Sequence, residues 1–451
     1  MTRVLVANRG AVAARVIRAL DALGWESVAV FSDADAGAPY LERATTAMRI
    51  GPPPPLGSYL DQDAVLRAAA RTGADAVHPG YGFLSEDARF ARRVTEAGLG
   101  WIGPSPDWIE RMGHKGRART FAAEHDFPLG PASGILPPGD REAAHRAAGE
   151  VGYPLLVKPA AGGGGIGMTA VGSPDELVAA VERASSLAAR GFGSAEVYLE
   201  RMVARPRHVE FQIVADRHGA ARHLFERDCS IQRRHQKLIE EAPAPGFDRG
   251  RLDPLADRLA AALGRAGYDN IGTVEMLDDE GSLQFLEMNT RLQVEHGVTE
   301  ELTGIDLVVS QIRLAAGDRL ADVLPEAVRR YGHAIEARVY AEDPVRFFPS
   351  PGTLEIFRPP HGVRVETGYA EGGEVTVHYD PLLAKVIVHA DDRAGAIERL
   401  AEALESFVIE GVRHNVPALL ALLRSDQFGS GEVHTGLTAD VVPAQRGAVA
   451  L

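Results

Sequence analysis

Apolar and polar positions follow one another along this chain in short blocks. Residues 4–7 form an apolar run closed by Asn8-Arg9-Gly10. Residues 11–23 carry apolar side chains at helical spacing as far as Gly24, and 28–31 form a second apolar run. This is the pattern of a strand, a helix and a strand. It recurs with a helix at 62–70, a strand at 75–78, a helix at 86–97 and a strand opening at 101–102. Strands alternating with helices predict a parallel sheet covered on both faces, and such sheets bind ligands beyond the carboxyl ends of their strands. Asn8-Arg9-Gly10 and His78-Pro79-Gly80-Tyr81-Gly82 fall at two of these ends, although either string is equally that of a tight turn.

Residues 108–112 read as a helix leading to Lys115. Strands then flank a glycine run between 153 and 202, followed by a helix at 176–189, and the pattern alternates at 197–199 and 209–214. Residues 273–277 and 283–288 read as the arms of a hairpin that turns at 278–281. Beyond about 320 the texture changes to short strands at 334–340, 353–357 and 383–389 and a helix at 394–407, which predicts a separate α+β unit.

Composition narrows the function classes. The 451 residues exceed one ordinary core, so two to four domains are expected. A hydrophobic content of 45% and a charged content of 24% are those of a globular protein. The net charge, 48 − 62 = −14, argues against nucleic acid as main partner while leaving room for a small anionic substrate. No stretch has the length or apolarity of a membrane span or signal peptide, and Cys229 is the single cysteine, so a cytoplasmic setting is expected. Cys229 reads as a small packed residue rather than a nucleophile.

The candidate chemistry centres on FLEMNTRLQVEH, residues 285–296. In an extended chain Glu287, Asn289, Arg291, Gln293 and Glu295 share one side, and Leu286, Met288, Thr290, Leu292 and Val294 the other. The polar row is that of a half-solvated strand, or of a site in which carboxylates and an amide hold magnesium while an arginine and a further acid handle an oxyanion and a proton. Fully extended, Glu287 to Glu295 would span up to about 27 Å, so a single reaction centre requires the strand to end near Asn289 and the chain to curl from there. Glu275 lies on the other arm of the hairpin. GGGGIG at 162–167 satisfies the dinucleotide pattern literally but lies between two strands, which suits a phosphate-cradling hairpin. Lys158 and Lys115 can add charge to it. ERDCSIQRRHQK, at 226–237, reads as a basic loop and a candidate anion cradle.

Together these strings resemble the biotin carboxylase family of the ATP-grasp superfamily. The resemblance runs from about 3 to 438 and rests on ANRG (7–10), HPGYGFLSE (78–86), MGHK (112–115), KPAAGGGGIGM (158–168), RHVEFQ (207–212), ERDCSIQRRHQKLIEEAPAP (226–245), EMNTRLQVEH (287–296) and AEDP (341–344). It implies a mixed α/β and α+β fold. An N-terminal parallel α/β domain would occupy 1–112, an ATP-grasp domain 113–320 with a glycine-rich lid at 131–203, and a C-terminal α+β domain 321–445.

The implied activity is that of a ligase. ATP, bicarbonate and carrier-borne biotin would give N-carboxybiotin through carboxyphosphate. Lys115, Lys158, Gly163, Gly164 and Gly165 would contact phosphates, and Glu200, Met202, His208, Gln232 and His235 the rest of ATP. Glu275, Glu287 and Asn289 would hold Mg2+ or Mn2+. Lys237, Arg291, Gln293 and Val294 would bind bicarbonate, Glu295 would be the base, and Arg338 with Tyr81 would meet biotin.

The chain departs from the family pattern at Ile166, where arginine is common, at Gly297, where proline is common, and at Ala11, where an acid is usual. The Ile166 loop and the Tyr379-Asp380-Pro381 string also suit a urea-carboxylase branch. No Met-Lys pair of a biotin acceptor is present. A separate biotin carboxyl carrier protein, a separate carboxyltransferase and a homodimer are therefore expected, serving an acyl-CoA carboxylase (acetyl-CoA or propionyl-CoA). A urea-type carboxylase or another ATP-grasp carboxylate–amine ligase is the alternative.

Overall fold

A computed structural model describes residues 2–161 and 167–442. The phosphate contacts expected of Gly163, Gly164 and Gly165, and the Ile166 departure, lie outside the described residues. The N-terminal sheet matches its expected form. Strands β1 (Arg3–Val6), β2 (Glu26–Ser32), β3 (Thr46–Gly51), β4 (Ala76–His78) and β5 (Gly100–Trp101) are all parallel, in the order β3-β2-β1-β4-β5. The helix Gly10–Leu23 follows β1, buries Val12, Val16, Ile17 and Leu20, and ends on Gly24 at φ 69°, where a side chain would be strained. The loops beyond β1 and β4 are tied together. Asn8 Nδ2 donates to the carbonyls of Pro79 at 2.7 Å and Tyr81 at 2.8 Å.

Strands β6 (Leu155–Pro159), β7 (Thr169–Val171) and β8 (Val197–Arg201) make a small antiparallel sheet in the order β7-β6-β8. It packs Leu155, Val157 and Leu199 against Ala148 and Leu177 of the helices Arg141–Val151 and Pro174–Phe192.

The next strands are β9 (Arg207–Ala215), β10 (Ala221–Arg233), β11 (Gln236–Ala242), β12 (Asn270–Asp279), β13 (Ser282–Asn289) and β14 (His333–Tyr340). Four short strands follow: β15 (Gly352–Thr353), β16 (Ile356–Arg358), β17 (Arg364–Thr367) and β18 (Glu374–Val375). The last two are β19 (Leu382–Ala390) and β20 (Val408–Glu410). One antiparallel sheet of eight strands runs β13-β12-β9-β10-β11-β14-β19-β17.

One expectation needs correction here. The stretch 226–237 is no loop. It forms most of the β10–β11 hairpin, turned at Arg234 and His235, whose φ values of 46° and 65° are those of a tight hairpin turn. β14 pairs with β11 and carries the large sheet across residue 320, while β15 with β18 and β16 with β20 form two small sheets among the C-terminal strands.

Alternation gives this sheet two unlike faces. Val209, Phe211, Val274, Met276 and Met288 pack against Leu252, Leu259 and Leu263 of the helix Arg249–Arg265. Glu210, Glu275 and Glu287 have the opposite parity. A bulge between Glu275 and Met276 adds Leu286 to their side, beside Leu277, so Leu286 does not point away from Glu287 as simple alternation predicts. As expected, the strand ends at Asn289, and residues 290–295 curl before the helix His296–Thr303.

The C-terminal strands meet the N-terminal domain at a close backbone crossing. A Cβ on Gly368 would run into Gly10 Cα and the Ala11 nitrogen. Gly368→Ala is expected to destabilise the protein by about 1–3 kcal/mol, the usual cost of overpacking, seen as a lowered midpoint in thermal or denaturant unfolding.

Candidate active site

The N-terminal loops, the small three-stranded sheet and the acidic face of the large sheet enclose a cavity of about 1170 Å³. Every proposed site residue within the described segments lines it. Its centre is set by strand register. Glu275 stands directly opposite Glu287 on one side and Glu210 on the other. Like charges placed so are destabilising without a counter-charge.

Lys237 supplies that charge. Its Nζ lies 2.6 Å from Glu210, 3.0 Å from Glu275 and 2.6 Å from Glu295. Glu295 has a second cation, since Arg338 Nη2 donates to its Oε2 at 2.8 Å. Burial alone would push Glu295 up, but Lys237 and Arg338 hold it well below the usual carboxylate range. Burial works the same way on Glu275 and is outweighed by Lys237 and His208. Glu210 moves upward instead, because burial and the nearby Glu295 outweigh its cations.

The curl after Asn289 brings its side chains into this centre. Arg291 donates to Gln293 Oε1 at 2.5 Å, to Asn289 Oδ1 at 2.8 Å and to Glu86 Oε2 at 2.8 Å. Gln293 Nε2 donates to Glu275 Oε1 at 3.1 Å. The Val294 carbonyl accepts from Lys385 Nζ at 2.5 Å, which fixes the peptide preceding Glu295.

A second lobe is more apolar. Leu156, Met168, Met202, Leu277 and Leu286 line it, with the polar groups of Glu200, His208, Gln232 and His235 alongside. Lys158 Nζ is 2.8 Å from Glu200 Oε1, and Lys115 is 3.5 Å from Glu287. Gln232 Nε2 bonds the Cys229 carbonyl at 2.7 Å and His208 Nδ1 at 3.1 Å. On the far side, Tyr81 and Phe83 enter the same cavity as Arg338. Cys229 is buried, and burial raises its thiol well above the usual range, in keeping with a packed rather than nucleophilic residue.

The arrangement fits a divalent cation at Glu275, Glu287 and Asn289. These are hard oxygen donors, two of them carboxylates brought opposite each other by register. Three contributors were not singled out from sequence: Glu210, Glu240 and Lys385. Glu210 was findable, because RHVEFQ alternates and places it with His208 and Gln212. Lys385 sits within an apolar run that reads simply as a strand, and Glu240 within the charged string 226–245 that gives it no distinct role.

Comparison with known proteins bears on this geometry. Residues 1–109 match the family model for the biotin carboxylase N-terminal domain, 114–323 that for the carbamoyl-phosphate synthase L chain ATP-binding domain, and 336–440 that for the biotin carboxylase C-terminal domain. The chain is 47% identical over 448 residues to the biotin carboxylase of Halalkalibacterium halodurans, covering 99% of each. It is 45% identical to a subunit of the pyruvate carboxylase of Methanothermobacter thermautotrophicus, covering 96% of this chain and 89% of that one. Among solved structures, the biotin carboxylase domain dimer of Hydrogenobacter thermophilus 2-oxoglutarate carboxylase, in complex with MgADP, ADP and bicarbonate, superposes with a TM-score of 0.93 at 42% identity over 98% of both chains.

Replacing Lys237 tests the electrostatic centre. Lys237→Met leaves Glu210, Glu275 and Glu295 without their shared cation, at a cost of about 3–5 kcal/mol at neutral pH. Lys237 is the strongest of the cations that keep Glu275 and Glu295 depressed, and a depressed carboxyl stabilises the fold above its unfolded value and loses that contribution as pH falls below it. The deficit of Lys237→Met should therefore shrink as pH falls below the ordinary glutamate value of 4.5 toward the depressed folded values, measured by denaturant unfolding across pH.

Proposed function

The chain belongs to the biotin carboxylase family of ligases, and we propose that it uses ATP and bicarbonate to carboxylate biotin carried on a separate protein. The observation that carries this reading is the convergence of Lys237, Gln293 and Arg338 on Glu295 and Glu275, beside the carboxylate pair Glu275–Glu287.

In this reading the apolar lobe takes the adenine of ATP, edged by Glu200, Met202, His208, Gln232 and His235. Lys115 and Lys158 neutralise phosphate charge, together with the glycine loop Gly163 to Gly165. Magnesium or manganese, held by Glu275, Glu287 and Asn289, supplies further positive charge against the nucleotide phosphates. Bicarbonate enters among Lys237, Arg291, Gln293 and the Val294 backbone. Sharing Lys237 with this anion loosens its hold on Glu295, whose basicity then rises toward the ordinary carboxylate range. Glu295 takes the bicarbonate proton, and the resulting dianion attacks the γ-phosphate, displacing ADP to give carboxyphosphate. Positioning and charge stabilisation do most of the work in such a transfer. Carboxyphosphate is consumed by water, so residues 131–203 act as the cover that excludes it. Carboxyphosphate releases CO2 and phosphate, and the phosphate takes the biotin N–H proton. Arg338 meets the negative oxygen that develops on biotin, with Tyr81 beside it, and the biotin nitrogen takes the CO2.

The chain works with a biotin carboxyl carrier protein and a carboxyltransferase, as a cytoplasmic homodimer. The final acceptor is an acyl-CoA, acetyl-CoA or propionyl-CoA. Its choice rests with the carboxyltransferase rather than with this site. Carboxylation of acyl-CoA from labelled bicarbonate, with the partners added, is the expected outcome, and incorporation dependent on urea would overturn that assignment.

The activity itself is tested by ATP turnover. It should require bicarbonate, rise with free biotin, and fall by about 10²–10⁴-fold in Glu295→Gln, the range for loss of a general base. Turnover that ignores biotin and responds to an amine would contradict the reading.

A further inference from the structure

Arg338 is held from two sides. Toward the cavity its Nη2 donates to Glu295 Oε2 at 2.8 Å. Behind it, the same nitrogen lies 2.5 Å from Glu240 Oε1. Glu240 is 0% exposed, and among the described residues neither of its oxygens has an aligned hydrogen-bond donor. Directly across the β11–β14 pair stands Glu336, equally buried and with its own Oε1 unpartnered.

Two buried carboxyls facing each other with so few donors weaken a fold. Burial pushes Glu240 up to about 8 against the pull of Arg338, and Glu336 up to about 7 against Lys385. Apolar side chains of similar volume would serve the sheet at least as well. Glu240 is thus poorly explained by stability, and among the described residues its one ion-paired cation is Arg338, a residue of the site.

We propose that Glu240 is a positioning residue for Arg338, holding the guanidinium from behind so that it keeps its aim when Glu295 turns to bicarbonate. The inference rests on the roles proposed above for Glu295 and Arg338. Glu295 gains a proton in each turnover, and its neutral form holds a guanidinium far less strongly than the carboxylate does. A second anchor keeps Arg338 in place through that step. Register fixes this anchor, because Glu240 lies diagonally across from Arg338 on the neighbouring strand. At rest Nη2 is aimed at Glu295 and only lies close to Glu240. Once Glu295 is protonated the same N–H can turn to a Glu240 oxygen, which accepts in either protonation state, so the role does not depend on the charge of Glu240.

The test compares Glu240→Leu, which removes the oxygen, with Glu240→Gln, which keeps one. With bicarbonate saturating, Glu240→Leu should lower kcat of biotin-stimulated ATP turnover about tenfold or more, a loss of positioning, while KM for ATP stays within about twofold. Glu240→Gln should stay within about threefold of the parent, and both variants should keep the parent's Tm. In an Arg338→Gln background, Glu240→Leu should cost nothing further. The proposal is overturned by a Glu240→Leu protein that is unfolded or turns over like the parent, by the same fold-loss in the Arg338→Gln background, or by Glu240→Gln as impaired as Glu240→Leu. Arg338→Gln that by itself keeps biotin-stimulated turnover would instead overturn the role of Arg338 on which the inference rests.

Discussion

The ammonium of Lys237, set among Glu210, Glu275 and Glu295, is the contact on which the rest of the site depends. Three buried carboxylates this close could not remain ionised without a charge between them. With it, Glu295 and Glu275 are fixed as anions in one small volume, and two of the three acids become usable for chemistry. Lys237 also sets what a substrate must be. An anion small enough to share its hydrogen bonds can enter, and by entering it loosens the base that will act upon it.

Backbone register makes this contact possible. β9, β12 and β13 align Glu210, Glu275 and Glu287 across one face of the sheet, while the opposite face is closed by the apolar core of the helix Arg249–Arg265. The β10–β11 hairpin brings Lys237 to the same face. β14, added to β11, carries Arg338 into reach of Glu295 from the C-terminal strands. One continuous sheet therefore unites groups that lie about 130 residues apart in sequence, from Glu210 to Arg338, and the bound loops of β1 and β4 close the cavity from the other side.

Much of this was legible in the chain. Alternation in 285–296, joined to the length of an extended strand, predicts both the polar row and its break at Asn289, and the β–α–β rhythm predicts the parallel sheet. The hairpin of 221–242 was not legible, because its charges are buried rather than solvated. Arg227 is fully buried and bonds Glu210 at 2.5 Å, and Arg233 is paired with Glu342. A run that reads as a wet basic loop is therefore an interior strand up to Arg233, with its turn at Arg234 and His235 exposed. The facing of Glu275 and Glu287 was equally hidden, since it depends on the turn at Glu280-Gly281 and on one bulge. Lys385 escaped notice because it is a lone lysine in an apolar strand, and Glu240 because it stands beside Glu241 and its partner comes from a distant segment.

The central claim is that this charge cluster makes bicarbonate the attacking group on ATP. Turnover of ATP with bicarbonate carrying heavy oxygen tests it most directly, with the inorganic phosphate analysed by mass. The account predicts that one bicarbonate oxygen appears in the phosphate released at each turnover. Phosphate whose new oxygen comes only from solvent water would contradict it.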